Sequence, residues 1–324
     1  MSKSKDILLD ITSRIKSFLL RLRPLKKIFI NLYMKKIILL IAIFLAVSTA
    51  KAQFYVSFSG GYAIPSAGTK FGEKVSTSGV ENSYGSYGEG LNTQIRGGYF
   101  FNETFGVDLG LGYLYGSDQT IQKVSLPGTE LDIKARGRAY GLSASMVYKF
   151  TNNIYGRFGA LIKVGGRTEA LGKANVGLPV GAVPGVPVET SLEVDFTQDY
   201  YGRLPLGFVG ALGYKYDLSN KINLFVEAEY MGISVTRDYS KMENFSAVIK
   251  TLDGNTVADL SVDQLRGLVS SNPSLVSLAP TFYNEITYLD ELPLSNTDGS
   301  KQLSQKVPYS SFGFNIGFTY TFGK

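Results

Sequence analysis

The sequence predicts an all-β chain, an eight-stranded antiparallel up-and-down barrel that crosses a membrane. Three observations predict it. Segments of strict period two recur along the chain, the connections between them alternate between short and long, and an export-type leader stands in front.

The front end comes first in order. Met34-Lys35-Lys36 is basic, residues 37–47 are an unbroken apolar run, and Ala50-Lys51-Ala52 offers a small-residue cleavage site. That is the order of a secretory signal peptide over 34–52, with Gln53 as the first mature residue. Eleven apolar residues fall short of the ~20 that a spanning helix needs. A membrane anchor that stays attached is the alternative. Residues 1–33 are basic and amphipathic up to Pro24. They read either as an artefact, with translation starting at Met34, or as an extended N-terminal segment.

Residues 53–324 form the barrel domain, and the last strand is the clearest. Over residues 312–322 the even positions are Phe312, Phe314, Ile316, Phe318, Tyr320 and Phe322, and the odd ones are Gly313, Asn315, Gly317, Thr319 and Thr321. Eleven alternating residues match the ~9–11 of a tilted spanning strand. The same alternation marks strands near 54–64, 91–101, 107–115, 140–150, 154–164, 204–214 and 222–230, which makes eight. The connections at 102–104, 151–153 and 217–221 are short, and those at 66–90, 117–137, 166–200 and 234–310 are long. Short periplasmic turns and long extracellular loops are the mark of this architecture.

Eight strands leave an interior just wide enough for side chains. The aromatic parity would overfill it, so that parity is expected outside, against outer-membrane lipid. The other parity is rich in Gly, Ser and Thr and carries Arg96, Asp108, Arg157, Lys163, Glu227 and Glu229. These six charges read as an ion path or binding site, or as a paired network that fills the lumen; the narrow bore favours the network. If the turn at 102–104 is centred on Glu103, Arg96 lies opposite residue 110, with Asp108 as its diagonal neighbour.

The long connections carry three further signals. Leu126-Pro127-Gly128-Thr129 reads as the turn of a hairpin projecting from the barrel, either a rigid support or an open edge for another chain. The apolar, Pro/Gly-rich stretch 176–188 reads as a partner site or as a loop folded over the barrel mouth. Ser261 and Gln264 have capping-box spacing before Leu265, Leu268 and Val269, which predicts a short helix.

Composition excludes much chemistry. The 324 residues include no Cys and no His, so disulfides, thiolate catalysis and Ser-His pairs are out. No catalytic residue, cofactor or metal site is expected. The Glu227/Glu229 pair lacks a nucleophile, and Gly110-Leu111-Gly112 lies within a strand rather than before a helix. The net charge of +6 does not signal a nucleic-acid partner. Eleven of the 33 basic residues and two of the 27 acidic ones precede Gln53, which leaves 22 against 25 thereafter.

Gly60-Gly61-Tyr62-Ala63-Ile64-Pro65 and the closing Phe314-Asn315-Ile316-Gly317-Phe318-Thr319-Tyr320-Thr321-Phe322 resemble the outer membrane protein beta-barrel domain family, of the OmpA-like type. The resemblance covers about 53–324. It implies location in the cell outer membrane and recognition of the aromatic last strand by the barrel-assembly machinery. Many such strands end on the aromatic; this one continues through Gly323 and Lys324. The expected function is non-enzymatic display of long surface loops, for envelope structure, adhesion or contact with a surface partner. The alternative is a narrow transport or ligand-binding barrel.

Overall fold

The computed structural model describes residues 53–322 except 67, 184 and 272–281. The expected leader, residues 1–52, and the last two residues lie outside the described part. In chain order the elements are β1 (Gln53–Pro65), β2 (Thr69–Ser76), β3 (Gly79–Gly85), β4 (Gly90–Phe100), β5 (Phe105–Gly116) and β6 (Gln119–Leu126). Then come β7 (Thr129–Lys149), β8 (Ile154–Leu178), β9 (Thr190–Gly202), β10 (Leu206–Asp217), β11 (Ile222–Gly232), β12 (Ser234–Thr251) and β13 (Thr256–Asp259). A helix, α1 (Val262–Ser271), precedes β14 (Glu285–Leu289), β15 (Lys301–Leu303), β16 (Lys306–Pro308) and β17 (Ser311–Thr321).

The antiparallel pairings run β1 to β4, β5, β7, β8, β10, β11 and β17, and β17 pairs back onto β1. Arg96 faces Gly110 across β4 and β5, the register that a turn centred on Glu103 requires. The three tight turns share one device. Asn102 Oδ1 accepts from the Thr104 and Phe105 amides at 2.8 and 2.7 Å. Thr151 Oγ1 accepts from Asn153 and Ile154, and Ser219 Oγ from Lys221 and Ile222. A short polar side chain thus satisfies amides that the ladder leaves free.

Side-chain parity follows the chemistry. Phe54, Val56, Phe58, Leu109, Leu111, Phe158, Leu212, Phe314, Ile316 and Phe318 are exposed on the outer wall. Ser57, Ser59, Asn92, Arg96, Asp108, Ser145, Arg157, Glu227, Glu229 and Asn315 are buried within.

The long connections carry strands of their own, more than the hairpin at 126–129 and the helix after Ser261 that the sequence leads one to expect. β8 continues as a strand to Leu178 and forms a hairpin with β9, which pairs in turn with β12. β6 and β7 form the hairpin expected at 126–129, with Leu126 opposite Thr129 and Gly128 at φ +73. Its outer edge is covered within the chain, because β2 pairs with β6. Together these strands build an extension above the barrel with a core of its own: Leu131, Ile133, Val176, Leu178, Leu192, Val194, Phe196, Ala247 and Ile249. The expected helix is present and its box is closed: Ser261 N donates to Gln264 Oε1 at 2.8 Å, and Gln264 N to Ser261 Oγ at 3.3 Å. α1 buries Val262, Leu265 and Val269 in that core. Val176 and Leu178, from the apolar stretch, are core residues, whereas Val180 and Val188 are exposed.

Barrel and extension have opposite polarity, and β7 and β8 change over in different ways. On β7 the odd positions point inward throughout. The chemistry swaps, from Leu131, Ile133 and Ala135 inside the extension to Ser143 and Ser145 inside the barrel. On β8 the apolar residues stay at even positions, and the strand rotates instead. Tyr140 pairs with Gly165 and Gly141 with Lys163, so Val164 is an extra residue. This bulge turns the even positions inward, burying Thr168, Ala170, Val176 and Leu178. Gly166 beside it has φ +87, and a Cβ there would meet the Arg138 carbonyl oxygen at 1.9 Å, so only glycine fits.

Candidate functional site: the barrel lumen

The inward positions of β4, β8 and β11 converge at mid-height. Arg96 and Arg157 are each 4% exposed, Glu227 2% and Glu229 1%. Arg96 donates in a fork to Glu227, Nη1 to Oε1 at 2.9 Å and Nη2 to Oε2 at 2.8 Å. Arg157 bridges both acids, with Nε on Glu227 Oε1 and Nη2 on Glu229 Oε2. Two guanidiniums and two carboxylates make a neutral group whose planar forks fit each other, the arrangement that offsets the cost of burying charge.

Two further groups complete it. Gln94 Nε2 donates to Glu229 Oε1 at 2.7 Å, and the Tyr155 hydroxyl to Glu227 Oε2 at 3.1 Å. The sequence reading did not single these out. Both lie on the inward parity, two residues from Arg96 and Arg157 respectively, which is the signal that would have found them. Tyr155 has room because its ring lies over Gly213, where a Cβ would come within 2.3 Å of it.

The remaining two of the six charges stand apart. Asp108 does not pair with Arg96, as the diagonal placement suggested. It accepts from the Tyr55 hydroxyl at 3.4 Å, and its Oδ1 has no partner among the described residues. The reason is reach: Arg96 extends across the bore to Glu227 rather than along its own wall. Lys163 sits nearer the extension, beside the β8 bulge, and donates to the Gly166 carbonyl at 3.1 Å. Its Nζ lies 5.9 Å from the centre of the Tyr309 ring.

The ion group divides the lumen. Toward the tight turns lies a cavity of about 80 Å³ lined by Tyr55, Asp108, Tyr155, Phe225 and Lys149 among others. Toward the extension lies one of about 90 Å³, with Asn92, Gln94, Arg157, Lys163, Leu161 and Tyr309 in its lining. The buried apolar cluster of Tyr87, Leu114, Ala139, Ile233, Val235 and Tyr309 lies at this end of the bore, and all of these but Tyr87 belong to the cavity's lining. Among the described residues no group of three or more metal-ligating side chains is present.

The family model for the outer membrane protein beta-barrel domain matches residues 37–262. No curated protein matches the chain. Among solved structures, the chain is similar to a major outer membrane protein from Thermus thermophilus, at 13% identity, over 84% of this chain and 99% of that one, with a TM-score of 0.34. It is also similar to Neisserial surface protein A, at 15% identity over 82% and 96%, TM-score 0.27. A third is CarO2 of Acinetobacter baumannii, at 11% identity over 83% and 99%, TM-score 0.27. The family match takes in well over half of the sequence: the chain belongs to the outer membrane protein beta-barrel domain family, and its place is the cell outer membrane.

Proposed function

We propose that the chain is a non-enzymatic surface protein, an eight-stranded transmembrane anchor that holds a folded β-extension outside the cell. In this reading the tight turns face the periplasm and the long connections face outward. Residues 34–52 direct export, and the barrel-assembly machinery reads the aromatic β17. The extension serves envelope structure, adhesion or contact with a surface partner.

One observation carries the proposal: side chains span the bore at mid-height and split it into two separate cavities. Arg96, Arg157, Glu227 and Glu229 span it as a buried, charge-neutral group, and an apolar cluster lies above them. An eight-stranded interior is just wide enough for side chains to fill, unlike the open aqueous channel of a 16-stranded porin. The test is planar-bilayer recording of the refolded mature chain. Absence of discrete conductance steps supports the anchor. Reproducible unitary steps that vanish when the lumen is blocked would establish a transport barrel instead.

A further inference from the structure

Five of the six lumen charges fall on the floor of the bore or in its ion group. The sixth, Lys163, lines the upper cavity and forms no ion pair among the described residues. Its only hydrogen bond among the described residues goes to the Gly166 carbonyl, and its Nζ lies over the Tyr309 ring. A partly buried ammonium in a narrow, low-dielectric space requires a counter-charge. Among the described residues none pairs with it: both Glu229 oxygens are taken, one by Gln94 and the other by Arg157.

A second observation is independent of that charge. Asn92 lines the same cavity, is 5% exposed, and neither its amide nitrogen nor its amide oxygen has a partner among the described residues. Arg157 Nη1 is likewise buried without one, and Arg157 also lines the cavity. Buried donors left unmatched by protein are rare and mark a place that something else fills. The cavity is about 90 Å³, while a single water needs roughly 10–15 Å³ of such space. The space suits a small ion with a few waters, and the apolar wall of Leu114, Leu161, Val209 and Val235 rules out a large hydrated one.

We propose that the upper lumen cavity binds one small monovalent anion, with the Lys163 ammonium as its counter-charge and the Asn92 amide as a hydrogen-bond donor. A single charge is specified because one ammonium lacks a paired carboxylate among the described residues and because Glu229 at the cavity floor repels excess negative charge.

The test uses the full mature chain and bromide as the probe. In crystals grown in sodium bromide, an anomalous peak is expected within hydrogen-bond reach of Lys163 Nζ inside the lumen. In solution, thermal unfolding in sodium bromide is compared with sodium gluconate at equal ionic strength. The parent is expected to melt higher in bromide, by a few degrees. That increment disappears in Lys163→Met, shrinks in Asn92→Leu, and persists in Lys173→Met on the outer surface. The crystallographic arm needs no variant, and Lys163→Gln serves if the Met variant does not fold. A lumen with no bromide peak, or a bromide increment unchanged without the Lys163 charge, overturns the proposal.

Discussion

The barrel and its extension use the same two-residue alternation with opposite sense. In the barrel the outward face is Leu, Phe and Tyr and the inward face is Ser, Gly and paired charge. In the extension the inward face is Leu, Val and Phe, and Glu130, Asp132, Lys173, Glu193 and Asp195 face outward. What differs is the solvent. Lipid makes an apolar exterior favourable and leaves little drive to exclude it, whereas water drives the same residues inward. β7 crosses between the two regimes within a few residues. Arg138 still stands over the Tyr115 ring, with its guanidinium carbon 3.7 Å from the centroid, while Tyr140 already belongs to the apolar wall.

The largest expected effect lies in the lumen. Removing one member of a buried ion group leaves its partner uncompensated, so Arg96→Ala is expected to cost about 3–5 kcal/mol in urea refolding into detergent. Because Arg96 pairs with Glu227, a double-mutant cycle with Asp108→Ala should be close to additive. Strong coupling between Arg96 and Asp108 would show that the ion group is arranged differently in solution.

A matched pair sharpens the contrast between the regions. Leu109 lies exposed on the barrel wall and Leu192, 1% exposed, lies in the extension core. Leu192→Ala should cost about 2–5 kcal/mol in any medium, as a cavity does. Leu109→Arg should cost about 2–4 kcal/mol in lipid bilayers, and clearly less in a detergent micelle. Equal losses for Leu109→Arg in both media would break the distinction.

The smallest effect concerns Asp199 in the extension. It is 2% exposed and pairs with Arg167 at 2.8 Å. Burial nonetheless pushes its carboxyl up to about 6, with Glu169 and Glu243 adding to the rise and Arg167 opposing it. The native state therefore holds its proton more tightly than the unfolded chain, whose carboxyl titrates near 3.9. Stability should fall as pH rises from about 4 to about 6 and level off above, by on the order of 1 kcal/mol. Asp199→Asn should remove that slope. A parent-minus-variant difference that is flat across the window would refute the assignment.

Much of the barrel was legible in the sequence because lipid imposes a simple rule, with every second residue apolar over the length of a crossing. The crossing strands and their parity follow from that. The extension was harder, for identifiable reasons. The Val164 bulge shifts the phase of β8, so its alternation looks as if it ends there. β12 is broken by register shifts between Arg237 and Tyr239 and between Met242 and Asn244, which hide its period. Leu192, Val194 and Phe196 do alternate with Glu193 and Asp195, but in a segment between Pro-rich and Tyr-rich stretches that reads as a connection. For the lumen, parity identified which charges turn inward, but not which of them meet. That depends on the bore and on side-chain reach: Arg96 and Glu227 are brought together from strands three places apart in the ring.

The change of solvent along β7 can be measured directly, because the chain has no native cysteine. Single cysteines placed one at a time from 130 to 148, spin-labelled in the protein reconstituted into bilayers, report collisions with oxygen and with a water-soluble nickel complex. Nickel access is expected at 130, 132, 134 and 136, oxygen access at 140, 142, 146 and 148, and little of either at the odd positions, with the crossover between 138 and 140. Nickel access continuing through 142 and 146, or oxygen access at 132 and 134, would contradict a change of solvent at that point.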